Sequence, residues 1–359
     1  MTVRAAVIGT GIMGAEHARL LERQVSGVVV TGAFDVDTER CRQAVAGMPS
    51  ARVFSDPIEL IFDPGIDAVV IASADLTHER FALAAIAAGK PVLCEKPLAP
   101  DIAGCERILA AEVAAGRRLV SVGFMRRFDP GHRQLKQALA GGDIGTALLM
   151  HCVHRNRSAP AGQPTASLIT GSAVHEFDAA RWLLDDELAT VTVHRPRSSR
   201  RSSPTADPLF LVVESSAGAL VDIEVFLNCG YGYEVRCEVV GEDGTVFLDA
   251  PAATATRGAA GISRSLAEDW RPRFAEAYRC ELQEWIDSVA AGAVSCLAST
   301  WDGYAATAAA QAGVAALDSG RAEPVRLPPR PELYRAEVHG AEVHGAELFG
   351  AEVHGAVQA

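Results

Sequence analysis

The feature that most constrains the fold is the run Gly9-Thr10-Gly11-Ile12-Met13-Gly14. It is set between a short apolar stretch, Val3 to Ile8, and a helical pattern in which Ala18, Leu21 and Val25 share one face. A strand that turns this sharply into a helix needs backbone that side chains would obstruct, and glycine at this spacing removes the obstruction. Gly9 permits the turn, Gly11 lets the main chain approach a pyrophosphate, and Gly14 lets the helix pack close. The helix N-terminus adds partial positive charge there. Thr10, Ile12 and Met13 complete the loop and are expected along the same ligand. Asp35 stands at the end of the next apolar run, about 20 residues beyond the loop, where an acidic side chain accepts hydrogen bonds from ribose hydroxyls and repels a 2′-phosphate. No arginine follows it directly, the next residues being Val36-Asp37-Thr38. The expected cofactor is therefore NAD rather than NADP, with Val36 beside the adenosine.

Residues 1–122 continue the same alternation. Apolar runs at 28–34, 68–72, 92–94 and 119–122 are separated by helical patterns, one from about His78 to Ala88 before Gly89 and one from Asp101 to Ala115 before Gly116. That order predicts an α/β unit, a Rossmann dinucleotide-binding domain with a parallel sheet. From 123 the texture changes. Helical patterns at about 131–140 and 174–184 are followed, between about 189 and 249, by strand after strand with turn residues between, and helices return at about 266–291 and 300–317. This reads as a C-terminal α+β domain, 123–334, with an open, mainly antiparallel sheet. The segment 335–359 repeats a pentapeptide typified by Ala336-Glu337-Val338-His339-Gly340. A glycine every fifth residue suits neither helix nor strand, so a disordered tail is expected there, with a weak histidine metal site as the lesser alternative.

A net charge of −12 argues against nucleic acid or an anionic membrane surface as partner, since phosphate contacts need clustered basic charge. The eight cysteines include no CxxC pair, which suits reduced thiols better than a disulfide framework or a metal centre. The longest uncharged stretch near the end, Gly303 to Leu317, is too short to span a bilayer. A soluble, cytoplasmic protein is expected.

Two further positions carry chemistry. Glu95-Lys96-Pro97 follows Val92-Leu93-Cys94, so it falls at the carboxyl edge of the predicted sheet, where open α/β sheets bind ligands. A lysine there can hydrogen-bond a substrate hydroxyl and favour its alkoxide character; a surface lysine paired with Glu95 is the alternative. His175 opens a helical pattern whose apolar face includes Phe177, Ala180, Leu183 and Leu184. Near a helix start a histidine is often a structural hydrogen-bonder, yet it is also the side chain best matched to proton transfer near neutral pH.

These motifs, together with Val174-His175-Glu176-Phe177-Asp178, resemble the Gfo/Idh/MocA oxidoreductase family. Met125-Arg126-Arg127-Phe128-Asp129, His151-Cys152-Val153-His154-Arg155-Asn156 and Asn228-Cys229-Gly230-Tyr231-Gly232-Tyr233 are similar to its inositol-dehydrogenase branch. The resemblance runs to about Tyr334. It implies NAD-dependent oxidation of a secondary hydroxyl of myo-inositol or a close cyclitol to the 2-keto product, and a homotetramer formed through the open sheet. It also implies Lys96 as catalytic lysine and His175 as proton acceptor. Met125, Arg126, His154, Asn156, Ser172 and Tyr233 would line the polyol pocket, and Ser73, Ala74, His78 and Glu95 would sit along the nicotinamide half of the cofactor. One departure stands out: family members usually carry an aspartate four residues before the histidine, and here that position is Gly171. A slower inositol enzyme, a dehydrogenase of an amino- or deoxy-inositol in a biosynthetic pathway, and a non-catalytic NAD/polyol sensor all remain open. A second departure, Ser73-Ala74-Asp75 in place of a Thr-Pro-Asn-like turn, is milder.

Overall fold

The structure, a computed structural model, describes residues 2–202, 204–248, 255–259 and 261–335. The pentapeptide tail from Ala336 lies outside the described residues.

The alternating half folds as the apolar runs require. Strands β1 (Val3–Ile8), β2 (Val28–Phe34), β3 (Arg52–Val53), β4 (Ala68–Ile71), β5 (Val92–Glu95) and β6 (Val120–Gly123) pair in parallel in the order β6-β5-β4-β1-β2-β3. Helices α1 (Ile12–Arg23), α2 (Thr38–Ala44), α3 (Pro57–Phe62), α4 (His78–Ala87) and α5 (Ile102–Ala115) make the crossovers. β4 and β5 are buried along their whole lengths, which explains the apolar runs Ala68–Ile71 and Val92–Cys94, Glu95 alone bringing a charge at the end of β5. Asp101 caps α5 by accepting from the Gly104 N–H at 2.8 Å, and Gly116 ends it in the left-handed region at φ +63°.

The second half begins with α6 (Pro130–Gly141) and β7 (Ala147–Arg155), then α7 (Val174–Leu184). Strands β8 (Leu188–His194), β9 (Leu209–Ser215), β10 (Leu220–Phe226), β11 (Glu234–Gly241) and β12 (Thr245–Phe247) follow. After a small hairpin of β13 (Thr256–Gly258) and β14 (Gly261–Ser263) come α8 (Trp270–Ala291), β15 (Ala298–Ser299), α9 (Thr300–Ser319) and β16 (Glu323–Pro324). The second sheet runs β12-β11-β7-β10-β9-β8-β16. Its pairings are antiparallel except β7 with β10, which run parallel. β7 therefore sits in the middle of a sheet whose other strands come mostly after residue 187.

Two differences from the sequence reading concern the C-terminal helices. α8 starts at Trp270, not near 266, because Tyr233 bridges Ala267 and Asp269 caps the helix through the Arg271 N–H at 2.9 Å. β15 and α9 return to the first half: β15 adds antiparallel to β6, and Trp301 and Tyr304 pack in the same core as Ile8, Val92 and Phe124. α8 likewise packs with α1, burying Leu282, Trp285 and Ile286 against Leu20 and Leu21. All eight cysteines are free thiols, six of them buried. No helix among the described residues is long and apolar enough to cross a membrane.

Candidate active site

The glycine loop leaves β1 and enters α1 with no slack. A Cβ on Gly14 would lie 1.7 Å from the carbonyl oxygen of Gly9, and one on Gly9, at φ +88°, would lie 2.5 Å from the Ser73 backbone. These two glycines are compelled by contacts within the protein. A Cβ on Gly11 would meet nothing within 4 Å, so that face of the loop opens outward. The first-turn N–H groups of α1 have no intrahelical partner. An open face, free N–H groups and an acidic residue at the end of β2 fit a dinucleotide pyrophosphate and ribose.

Asp35 is buried and already engaged. Its Oδ2 accepts from the Thr10 N–H at 2.7 Å and the Thr10 hydroxyl at 3.1 Å, and its Oδ1 from the Asp37 N–H at 2.8 Å. The Arg40 guanidinium completes the set, 2.6 Å from Oδ1 and 3.3 Å from Oδ2. Burial would raise this carboxyl, but Arg40 and the Asp37 and Thr10 donors outweigh it and hold it below its usual range. Arg40 is the partner of Asp35 that reading its immediate neighbours missed. The signal that finds it is one turn of helix: Asp37 caps α2, accepting from the Arg40 N–H at 3.0 Å, and this aims the side chain back at Asp35. Val36 stands on the rim beside them, 88% exposed.

At the carboxyl edge the Lys96–Pro97 peptide is cis. The Lys96 ammonium donates to the Gly171 carbonyl at 3.1 Å, which joins the edge of the first sheet to the segment leading into α7. That segment, Leu168–Ala173, is a widened π-type turn, a local form that recurs at functional sites. His175 lies one turn further on and is buried, with its Nδ1 enclosed and unpartnered. Burial, the Lys96 and Arg126 charges and His154 push its pKa well below the usual imidazole value. It is therefore neutral at neutral pH and able to accept a proton.

Beneath it lies a buried ionic cluster. Arg126 Nη1 is 2.5 Å from Glu176 Oε1, and His154 Nδ1 is 3.1 and 3.2 Å from the two Glu176 oxygens. Burial would raise Glu176, but Arg126 and His154 hold it at about 2. The His154 ring meets Tyr233 edge-on at 6.0 Å and lies 6.4 Å from His175, while Phe124 stands edge-on to His175 at 6.1 Å. Glu176, in the sequence only a neighbour of His175 within a motif, is the anion that organises Arg126 and His154.

A cleft of about 970 Å³ runs between the two halves, lined by Ile12 and Pro97 on one side and Asn156, Gly171, Ser172, Tyr233 and Trp270 on the other. The Asn156 Oδ1 is buried without a partner. Other expected residues point elsewhere. Met125 is packed in the core with Phe274. Glu95 turns inward, 2.7 Å from His17 Nε2. His78 is buried and donates from both ring nitrogens, to the Pro97 carbonyl at 2.8 Å and the Ser73 carbonyl at 3.0 Å. Burial opposes its charge, but Cys94 and those carbonyls raise it to about 10. It thus ties together the turns after β4 and β5. Ser73 bonds the Thr77 hydroxyl at 2.6 Å, and Ala74 is exposed at that turn. No cluster of metal-ligating side chains occurs among the described residues.

Known proteins resemble both halves of the chain. A family model described as "Oxidoreductase family, NAD-binding Rossmann fold" matches residues 3–124, and its partner, "C-terminal alpha/beta domain", matches 136–327. Inositol 2-dehydrogenase 1 of Saccharopolyspora erythraea is 52% identical over 336 residues, covering 93% of this chain and 99% of the relative. Inositol 2-dehydrogenase of Streptomyces avermitilis is 47% identical, covering 92% and 96%. Among solved structures, myo-inositol dehydrogenase of Lactobacillus casei in complex with NAD(H) and myo-inositol superposes with a TM-score of 0.90 at 34% identity, over 93% of this chain and 100% of that one. The chain belongs to the Gfo/Idh/MocA family of oxidoreductases and is an NAD-dependent member of it, acting on CH–OH groups.

Proposed function

We propose that this enzyme oxidises a secondary hydroxyl of myo-inositol, or of a close cyclitol, to the ketone. The observation that carries the reading is the bond from Lys96 to Gly171, four residues before His175, where Gly171 and Pro97 line the cleft between the two halves. The loop Gly9–Gly14, Asp35 and the turn at Ser73–Ala74 would hold the cofactor, whose nicotinamide supplies the hydride acceptor. Lys96, with ammonium protons to spare beyond its bond to Gly171, hydrogen-bonds the carbinol oxygen and stabilises negative charge developing there. His175, neutral because of its burial and cationic neighbours, takes the hydroxyl proton. Arg126, His154, Asn156, Ser172 and Tyr233 orient the ring hydroxyls, with Glu176 fixing the first two. The same reading makes 1–122 the cofactor unit and 123–334 the substrate and assembly unit of a cytoplasmic homotetramer.

Gly171 supports a second reading, in which the substrate is a modified cyclitol such as an amino- or deoxy-inositol. A Cβ at this position would meet nothing within 4 Å, so the cleft is more open there than any side chain would leave it. The deciding measurement is NADH formation with purified protein, NAD and a panel of inositol isomers, deoxyinositols and aminocyclitols. The first reading expects myo-inositol or a stereoisomer to head the panel. Binding of NAD with no turnover across the panel would make the protein a sensor.

A further inference from the structure

We propose that His78 is a fixed imidazolium that positions Lys96, clamping the turn after β5 to the turn after β4 and so to the glycine loop. Its two ring nitrogens both face backbone carbonyls, Nδ1 that of Pro97 at 2.8 Å and Nε2 that of Ser73 at 3.0 Å. A carbonyl only accepts, and a neutral imidazole has one N–H and one lone pair. Either neutral tautomer therefore sets a lone pair against a carbonyl oxygen, while the doubly protonated ring satisfies both. The residue is 1% exposed, so water does not relieve the mismatch. Burial opposes the charge, but Cys94 and the two carbonyls outweigh it and raise the ring to about 10. Glu95 on β5, bonded to His17 of α1 at 2.7 Å, is within range of that charge, and Lys96 immediately precedes the proline it holds. Glu79, next along α4, is paired with Arg107 of α5.

The functional consequence lies on either side of Lys96. A lysine side chain is long and flexible, so its aim depends on the backbone that carries it. The residue before it, Glu95, is pinned by its carboxylate to His17, and the residue after it, Pro97, is pinned by its carbonyl to His78. The other end of the clamp, Ser73, packs so close to the glycine loop that a Cβ on Gly9 would lie 2.5 Å from its backbone. One buried cation thus joins the ends of β5, β4 and β1, which are neighbours in the parallel sheet. A neutral ring would release one carbonyl, and with it one of the two turns. His78 does not line the cleft, so it acts through Lys96 and touches no substrate.

The positioning role rests on Lys96 being the catalytic lysine, whereas the charge on His78 stands on geometry alone. The test uses the full-length protein labelled with nitrogen-15 histidine, the His78 ring being assigned through its nuclear Overhauser contacts to Ser73 and Pro97. Both ring nitrogens are expected to be protonated at about pH 8, where an ordinary histidine of pKa about 6.5 is neutral. In His78→Gln, kcat on the cyclitol that the wild type oxidises falls by about 10- to 100-fold, the cost of a misaimed group, with KM for it nearly unchanged. NADH binding, read by fluorescence titration, weakens by about three- to tenfold. His78→Lys, a cation with donors for both carbonyls, recovers part of each loss. The charge also sets a stability trend. The folded ring keeps a proton that the unfolded chain gives up above about pH 6.5, so the wild type loses stability as pH climbs towards about 10, and the glutamine variant does so less steeply. A His78 ring with one bare nitrogen at about pH 8, or a glutamine variant with wild-type kcat, overturns the proposal. A wild type that oxidises no cyclitol overturns the reading of function instead, and the NMR spectrum and the NADH titration then decide whether His78 is charged and holds the loops.

Discussion

At the scale of single residues the site is organised by what each charge has beside it. His175 has cations nearby and an enclosed Nδ1 without an acceptor, so its base form is favoured. Activity should therefore persist into mildly acid solution. The profile of kcat/KM against pH is expected to fall only as pH drops through an inflection below the ordinary histidine value of about 6.5, since the protonated ring cannot accept the substrate proton. An inflection above that value would contradict the assignment. Gly171→Asp is the complementary experiment. The open space accepts the side chain, and a carboxylate near Lys96 and His175 raises the imidazole pKa by favouring its charged form. If myo-inositol is the substrate, kcat for it should rise about tenfold or more, and the acid limb should move to higher pH. A variant that gains nothing on myo-inositol while the wild type turns over a modified cyclitol supports the second reading instead.

At the scale of elements, the helix that carries His175 is held by an ionic network rather than by its own caps. Asp178 on α7 takes Arg127 at 2.6 Å, and Asp302 on α9 takes Arg127 at 3.1 Å and Arg181 at 3.2 Å. Asp302 also closes a capping box with Ser299, which starts α9. Burial opposes the Asp302 charge, yet Arg127 and Arg181 hold its carboxyl far below the usual range. Removing it leaves each buried guanidinium with a single carboxylate, Asp178 on Arg127 and Glu187 on Arg181. Asp302→Ala is expected to lower the unfolding free energy by about 2–3 kcal/mol in a denaturant titration, from the lost charge-assisted hydrogen bonds and the lost capping box, and to impair turnover because α7 loses its tie to α9 through Arg181. A loss under about 1 kcal/mol would show that the network is solvated and weak. The sequence displayed these charges, but nothing in their spacing paired residues 127, 178, 181 and 302. Those partners are brought together only when α7 and α9 pack.

At the scale of the whole molecule, the two halves are interleaved by their last elements. Tyr334, near the end of the described chain, is buried and donates to Glu112 Oε2 at 2.5 Å. The Glu112 carboxylate also accepts the Val120 N–H at 2.7 Å and the Leu119 N–H. The last described residues thus close over the helix and strand that finish the parallel unit. Tyr334→Ala should cost about 3–5 kcal/mol by loss of the buried ring, read as a lower melting temperature, and Tyr334→Phe only about 1 kcal/mol for the hydroxyl. Equal effects from the two variants would mean that the ring contributes little. The parallel sheet, its helices and the glycine loop were legible in the sequence because their signals are local: apolar runs, caps and glycines within a few residues of where they act. NAD, too, was legible, from Asp35 at the end of β2. What the sequence could not display was the partner of each buried charge: Arg40 on Asp35, Glu176 between Arg126 and His154, His17 on Glu95, and the Gly171 carbonyl on Lys96. Those pairs join residues by side-chain reach and by the return of later elements onto earlier ones, which only the folded chain decides.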